Sequence, residues 1–129
     1  GGVVLRAVAA MPALQVLNAA AGALHAAAWA TPDGDLTDLL EDVGRHNALD
    51  KLIGRLALQG RSREDGFVVM SSRASYELVR KCARLDIPLL ATVSAPTSLA
   101  VDLAAQSGIA LWGLCRPPRA VRYTAGTDS

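Results

Sequence analysis

Cysteine and aromatic residues are scarce in this sequence and its charges nearly cancel, and each shortage excludes a kind of function. The only cysteines, Cys82 and Cys115, stand far apart and form no CxxC pair. That argues against a disulfide framework or a zinc knuckle and fits a reducing cytosol. The aromatic residues are Trp29, Trp112, Tyr76, Tyr123 and Phe67. The core must therefore be built from Ala, Leu, Val and Ile, and no aromatic platform is left for stacking nucleic-acid bases. Thirteen basic against twelve acidic residues give a net charge of +1. This is no electrostatic footprint for duplex DNA or an anionic membrane, so any anion has to be bound locally.

Formal charge is also missing from Ala7 to Pro32, which raises a membrane reading. The run is mostly alanine and is broken by Pro12, Gln15, Asn18 and His25, so it reads as buried rather than spanning. Gly1-Gly2 supplies no basic n-region of a signal peptide. What is present is enough for one domain: 129 residues, 51% of them hydrophobic, can bury a real core.

Val4, Leu5, Val8 and Met11, continued by Leu14 and Leu17, recur at helical spacing and predict one or two N-terminal helices, with a kink or second start at Pro12. The Ala-rich stretch through Trp29 has helix propensity, yet Gly22 before it and Pro32-Asp33-Gly34 after it frame a segment short enough for a strand. Asp33-Gly34 then turns the chain into the segment 36–43. After Gly44, residues Leu49, Leu52, Ile53 and Leu56 share one helical face, and Gly60 closes that helix.

From Gly66 onward, apolar stretches at 67–70, 87–93 and 109–114 alternate with amphipathic stretches at 76–83 and 99–104. That alternation predicts a parallel βαβαβ core, and ligands of such sheets collect beyond the carboxyl ends of the strands. The polar clusters fall there. Ser71-Ser72-Arg73 comes after the first strand and Ser94-Ala95-Pro96-Thr97-Ser98 after the second. Each is expected to open a helix whose free N–H groups favour an anion.

Residues 41–47, Glu41-Asp42-Val43-Gly44-Arg45-His46-Asn47, bring acid, base, imidazole and amide groups together around a glycine turn. His46 and Asp50 are four apart, so the carboxylate could hold one ring nitrogen and fix the tautomer of the other. A purely structural account has Asp42 capping the helix, Arg45 and Lys51 solvated, and His46 at the core edge. Cys82 shares an apolar stripe with Tyr76, Val79 and Ala83, so packing is its role. Cys115 ends the third core strand beside Arg116, which could lower its pKa. Arg116, Arg119 and Arg122 could clamp a phosphate or form a solvated basic edge. Zinc deamination fails, because neither His25-Ala26-Ala27 nor His46-Asn47-Ala48 supplies the H-x-E glutamate.

Four strings in this order, EDVGRHNALDK at 41–51, SSRASYELVRK at 71–81, SAPTSLAV at 94–101 and GLCR at 113–116, resemble the formate dehydrogenase accessory protein (FdhD/NarQ) family. The resemblance runs from Leu14 to Thr124. It implies a three-layer α/β/α, cytidine-deaminase-like fold without a metal of its own, and usually a homodimer. It also implies a sulfur carrier that takes sulfur from a cysteine desulfurase and passes it to the molybdenum cofactor of the formate dehydrogenase apoprotein, holding the guanine dinucleotide part of the bis-molybdopterin guanine dinucleotide as a transient ligand. The family's GFxRxxR loop maps onto Leu114, Cys115, Arg116, Pro117, Pro118 and Arg119.

The resemblance has departures. The family's persulfide-bearing CxxC loop is not among these residues, so no residue here is expected to be catalytic. TGGxHA appears as Ala21-Gly22-Ala23-Leu24-His25-Ala26, and SGR as Ser71-Ser72-Arg73. The expectation is a single C-terminal domain, residues 1–129, of a longer chain; a degenerate paralogue or dimerising scaffold is the other possibility. The candidate site gathers Ser71, Arg73, Ser94, Thr97, Ser98, Arg116 and Arg119, with His25, Asp42, Gly44, Arg45, His46, Asn47 and Asp50 around its wall. A rival reading, from the serine clusters alone, is a sugar-phosphate isomerase or binding domain.

Overall fold

The computed structural model of this chain describes residues 2–14, 25–60 and 66–126. The first helix, α1 (Gly2–Leu14), buries Val4, Ala7, Val8 and Met11, the i, i+3, i+4, i+7 stripe of an amphipathic helix. It runs unbroken through Pro12 rather than restarting there. Leu17 and the TGGxHA counterpart before His25 lie outside the described residues.

The Ala-rich stretch is a strand, β1 (His25–Ala30). Its residues after His25 are all buried, because helices cover it from both sides. A strand buried on both faces reads as a continuous apolar run, and that demand overrides the helix propensity of alanine. A tight turn leads into β2 (Leu36–Asp42), with Gly34 at φ +91° and its N–H donating to the Thr31 carbonyl at 2.9 Å. A Cβ on Gly34 would sit 2.6 Å from the Val3 carbonyl oxygen, and Arg6 pairs with Asp35. The amino end of α1 is thus fastened to the β1–β2 turn.

Helix α2 (Arg45–Leu58) comes next, then β3 (Phe67–Met70), α3 (Tyr76–Arg84), β4 (Leu89–Thr92), α4 (Ser98–Ser107), β5 (Ala110–Arg116) and β6 (Arg119–Ala125). The six strands form one mixed sheet in the order β2-β1-β3-β4-β5-β6. The β3-β4-β5 core is parallel, as the alternation predicted, and the remaining pairs are antiparallel.

The two faces of the sheet are covered unequally. On one, Trp29, Val68, Met70, Leu90 and Leu111 pack with α2 through Leu49, Leu52 and Leu56, with α3 through Leu78, Val79 and Cys82, and with α4 through Ala100 and Ala104. On the other, Ala26, Ala28, Val69 and Ala91 pack against α1 alone among the described helices. Tyr76, expected on the buried stripe of α3, is 41% exposed, since Leu78 rather than Tyr76 completes that stripe.

The helix starts also differ from expectation. Ser75, not Ser71, caps α3, accepting from the Leu78 N–H at 3.3 Å; Thr97, not Ser94, caps α4, accepting from the Ala100 N–H at 3.1 Å. Ser71 instead prolongs the β1–β3 ladder: its hydroxyl accepts from the Ala26 N–H at 2.9 Å and its own N–H donates to the Ala26 carbonyl at 3.1 Å.

Candidate functional site

Because β1 and β6 run antiparallel to the parallel core and β2 runs antiparallel to β1, one sheet edge collects every motif. His25 begins β1 opposite Asp42 at the end of β2, Ser71 comes directly after β3, Ser94 shortly after β4, and Arg116 and Arg119 flank the β5–β6 turn. The carboxyl half of α1 passes over the same edge on the thinly covered face. Between them lies a cavity of ≈ 380 Å³, walled by Val8, Ala9, Met11 and Pro12 of α1 and by Ser71, Val93, Cys115, Arg116 and Pro117. Its lining is mostly hydrocarbon, with Arg116 as its charged group.

Of the residues expected at a site, Ser71, Cys115, Arg116 and Pro117 wall this cavity. Arg73, Leu114, Pro118 and Arg119 are exposed at the same edge outside it. Ser94, Thr97 and Ser98 serve the β4–α4 connection; the Ser94 carbonyl accepts from the Leu114 N–H at 3.3 Å, and the Thr97 hydroxyl is spent as a cap. The wall residues that motif reading missed are Val8, Ala9, Met11, Pro12 and Val93. The apolar stripe of α1 was visible, but nothing local says which end of the sheet it crosses.

The 41–47 motif builds the entry to α2. Asp42 Oδ1 accepts from the Gly44 N–H at 3.0 Å and from Asn47 Nδ2 at 3.5 Å, while its Oδ2 faces Lys51 Nζ at 2.8 Å. Lys51, together with the Gly44 N–H, holds the Asp42 carboxyl down at about 2. Lys51 also donates to the Glu41 carbonyl at 3.0 Å. It is therefore a brace, not the solvated cation of the structural account. Asp42 does not cap α2 either: Gly44 is the N-cap, with no side-chain bond. Half-buried Arg45 leaves its Nε buried without a hydrogen-bond partner.

The proposed His46–Asp50 pairing is replaced. Asp50 accepts from Lys81 Nζ at 3.0 Å, tying α2 to α3, so it is exposed on the helical layer and not in the cavity wall. A four-residue spacing permits the pairing, but a cation on the neighbouring helix competes for the same carboxylate.

Cys82 is wholly buried and burial pushes its thiol up to about 12; Cys115 is likewise raised, to about 11, mainly by burial. The expected lowering by Arg116 does not occur: burial dominates, and the contact that pulls the other way is a hydrogen bond with the Thr92 backbone, while the Arg116 side chain is exposed to water. Neither thiol is a thiolate near neutral pH. Among the described residues no three His, Cys, Asp or Glu side chains gather as a metal site, and no helix is long and apolar enough to cross a membrane.

An α/β domain whose loops converge on one carboxyl edge, with its motifs in this order, defines a class, and the chain belongs to it: the profile of the FdhD/NarQ family matches residues 2–128. Its relatives include the sulfur carrier protein FdhD of Chromobacterium violaceum, 63% identical over 122 residues, covering 95% of this chain and 45% of the relative. The sulfur carrier protein FdhD of Burkholderia cenocepacia is 56% identical over 118 residues, covering 92% of this chain and 42% of the relative. A crystal structure described as that of a formate dehydrogenase accessory protein from Desulfotalea psychrophila superposes with a TM-score of 0.86 at 31% identity, covering 95% of this chain and 53% of that one. The chain thus spans less than half the length of these curated relatives.

Proposed function

We propose that this chain is the cofactor-holding part of a cytoplasmic sulfur carrier for formate dehydrogenase maturation, and that the cavity under α1 takes the guanine nucleotide end of the molybdenum cofactor as cargo. The observation that carries this reading is an apolar cavity at the carboxyl edge of a parallel core with an arginine in its wall. Its ≈ 380 Å³ falls within the roughly 300–1,000 Å³ of small-molecule sites. Met11, Val8, Val93 and Pro117 offer flat apolar contact to a planar base, and the Arg116 guanidinium can take phosphate oxygens in a two-pronged bond. Arg73 and Arg119, exposed after β3 and at the start of β6, add positive charge to the same edge.

In this reading the sulfur arrives from a cysteine desulfurase on a thiol that neither Cys82 nor Cys115 supplies. The recipient is the formate dehydrogenase apoprotein, and the carrier works as a homodimer. The sugar-phosphate reading rested on serine clusters opening both helices, whereas α3 and α4 are capped by Ser75 and Thr97 and Ser71 instead prolongs the β1–β3 ladder.

Calorimetric titration of the chain with GDP, against ADP and fructose 6-phosphate at matched salt, tests the proposal. GDP should bind selectively, and Arg116→Ala should weaken it by roughly tenfold without lowering the melting temperature, the loss expected for one charge-assisted bond. Preference for the sugar phosphate, or unchanged GDP affinity in the variant, would overturn it.

A further inference from the structure

Thr92 is the last residue of β4 and is wholly buried, in a position where valine would fill the same volume without a polar atom. Burying a hydroxyl is unfavourable unless it is hydrogen-bonded. Thr92 Oγ1 donates to the Ser94 carbonyl at 2.9 Å, with the Trp112 carbonyl at 3.4 Å as a longer alternative. The same Ser94 oxygen accepts the Leu114 N–H at 3.3 Å. Two donors from adjacent strands therefore meet on one carbonyl of the β4–α4 loop.

Together they hold an unfavourable piece of backbone. Between the pairs Gly113↔Val121 and Arg116↔Arg119 the β5 side carries one residue more than the β6 side, a bulge, and Leu114 there has φ +52°. A non-glycine residue in the left-handed region is unfavourable and persists only where its surroundings hold it. The loop is also seated directly on this bulge: a Cβ on Gly113 would lie 2.7 Å from Pro96 Cδ and 3.3 Å from the Ser94 oxygen. The bulge aims the two residues beyond it, Cys115 and Arg116, and both stand in the cavity wall.

We propose that Thr92 is a positioning residue for the nucleotide site: its hydroxyl clasps the β4–α4 loop to the β5 bulge and so sets the direction from which Arg116 reaches the cavity. This rests on the reading of that cavity as the nucleotide site. Thr92 touches no ligand; it acts through Arg116.

A double-mutant cycle read by GDP titration tests it. Thr92→Val should raise the GDP dissociation constant roughly three- to tenfold, the worth of one hydrogen bond, and Thr92→Ser, which keeps the hydroxyl, should restore it. In an Arg116→Ala background Thr92→Val should weaken GDP no further, because the two act in series. Unchanged affinity in Thr92→Val, no rescue by serine, or full additivity with Arg116→Ala would overturn the proposal. Should the parent chain bind no GDP, the nucleotide reading itself fails, and the clasp is then read without ligand from alkylation of Cys115 by iodoacetamide in a Cys82→Ala background. A severalfold faster reaction in Thr92→Val, reversed by Thr92→Ser, supports the clasp; an unchanged rate overturns it.

Discussion

Met11→Ala and Leu52→Ala remove the same number of heavy atoms from opposite faces of the sheet, and the unequal covering of those faces predicts opposite profiles. Leu52 is completely enclosed among α2, the sheet and its helical neighbours. Its truncation leaves a void that the surrounding layer closes only partly, at about 3–5 kcal/mol. Met11 is 2% exposed to solvent, yet one side of it borders the ≈ 380 Å³ cavity, where it has no packing partner to lose. Forfeiting contacts on the sheet side alone costs about 1.5–3 kcal/mol. At roughly 3–5 °C per kcal/mol for a chain of this size, Leu52→Ala should lower the melting temperature by roughly 9–25 °C and Met11→Ala by roughly 5–15 °C. GDP affinity should move the other way: severalfold weaker in Met11→Ala, which loses a wall of the site, and unchanged in Leu52→Ala measured well below its midpoint. Urea denaturation supplies the stabilities and calorimetry the affinities. If Met11→Ala costs as much as Leu52→Ala and leaves GDP binding intact, α1 is an ordinary core helix and not the cover of a site.

Two titrations give independent checks. The folded-state pKa of Asp42 is depressed from 3.8 to about 2, so its contribution is present above 3.8 and lost as pH falls from there toward 2; Asp42→Asn should flatten that part of the acid limb in urea midpoints taken across the range. An identical acid limb in the variant would show that Lys51 does not hold the carboxylate in solution. The Cys82 thiol is raised from 9.0 to about 12, so the folded state disfavours its ionisation: its contribution is present below 9 and lost as pH climbs from 9 toward 12. Cys82→Ala should make the alkaline decline of stability shallower over that window, measured the same way, and an unaltered slope would contradict burial of the thiol.

Periodicity carried most of the fold. The βαβαβ core was legible because strand and helix periods alternate cleanly from Gly66, and the two serine clusters could be placed at its carboxyl edge from topology alone. The illegible parts are those where local rules compete. Ser71 and Ser94 look like caps because serine is a common cap, but the helices start later, at Ser75 and Thr97, where a hydroxyl meets the N–H three residues ahead. His46 and Asp50 have the spacing of a pair, but Lys81 stands on another helix, and sequence spacing says nothing about neighbours across a layer. Cys115 beside Arg116 looks activated in one dimension, but the thiol is buried while the arginine is exposed, and burial outweighs a neighbouring charge that water screens.

The cavity was the hardest feature to foresee because it depends on how α1 is laid across one face of the sheet. Among the described helices, α2, α3 and α4 pack on one side of the sheet and α1 alone on the other. There α1 is fastened at its amino end by Arg6–Asp35 and by the close approach of Gly34 to Val3, while its carboxyl half overhangs the loops. Ala26, Ala28 and Ala30 of β1 pack in one cluster with α1, and Cys115, just past the bulge at Leu114, belongs to the same cluster. The cavity beneath α1 is therefore the space left by a helix fastened at one end to the β1–β2 turn and passing over the loops at the other.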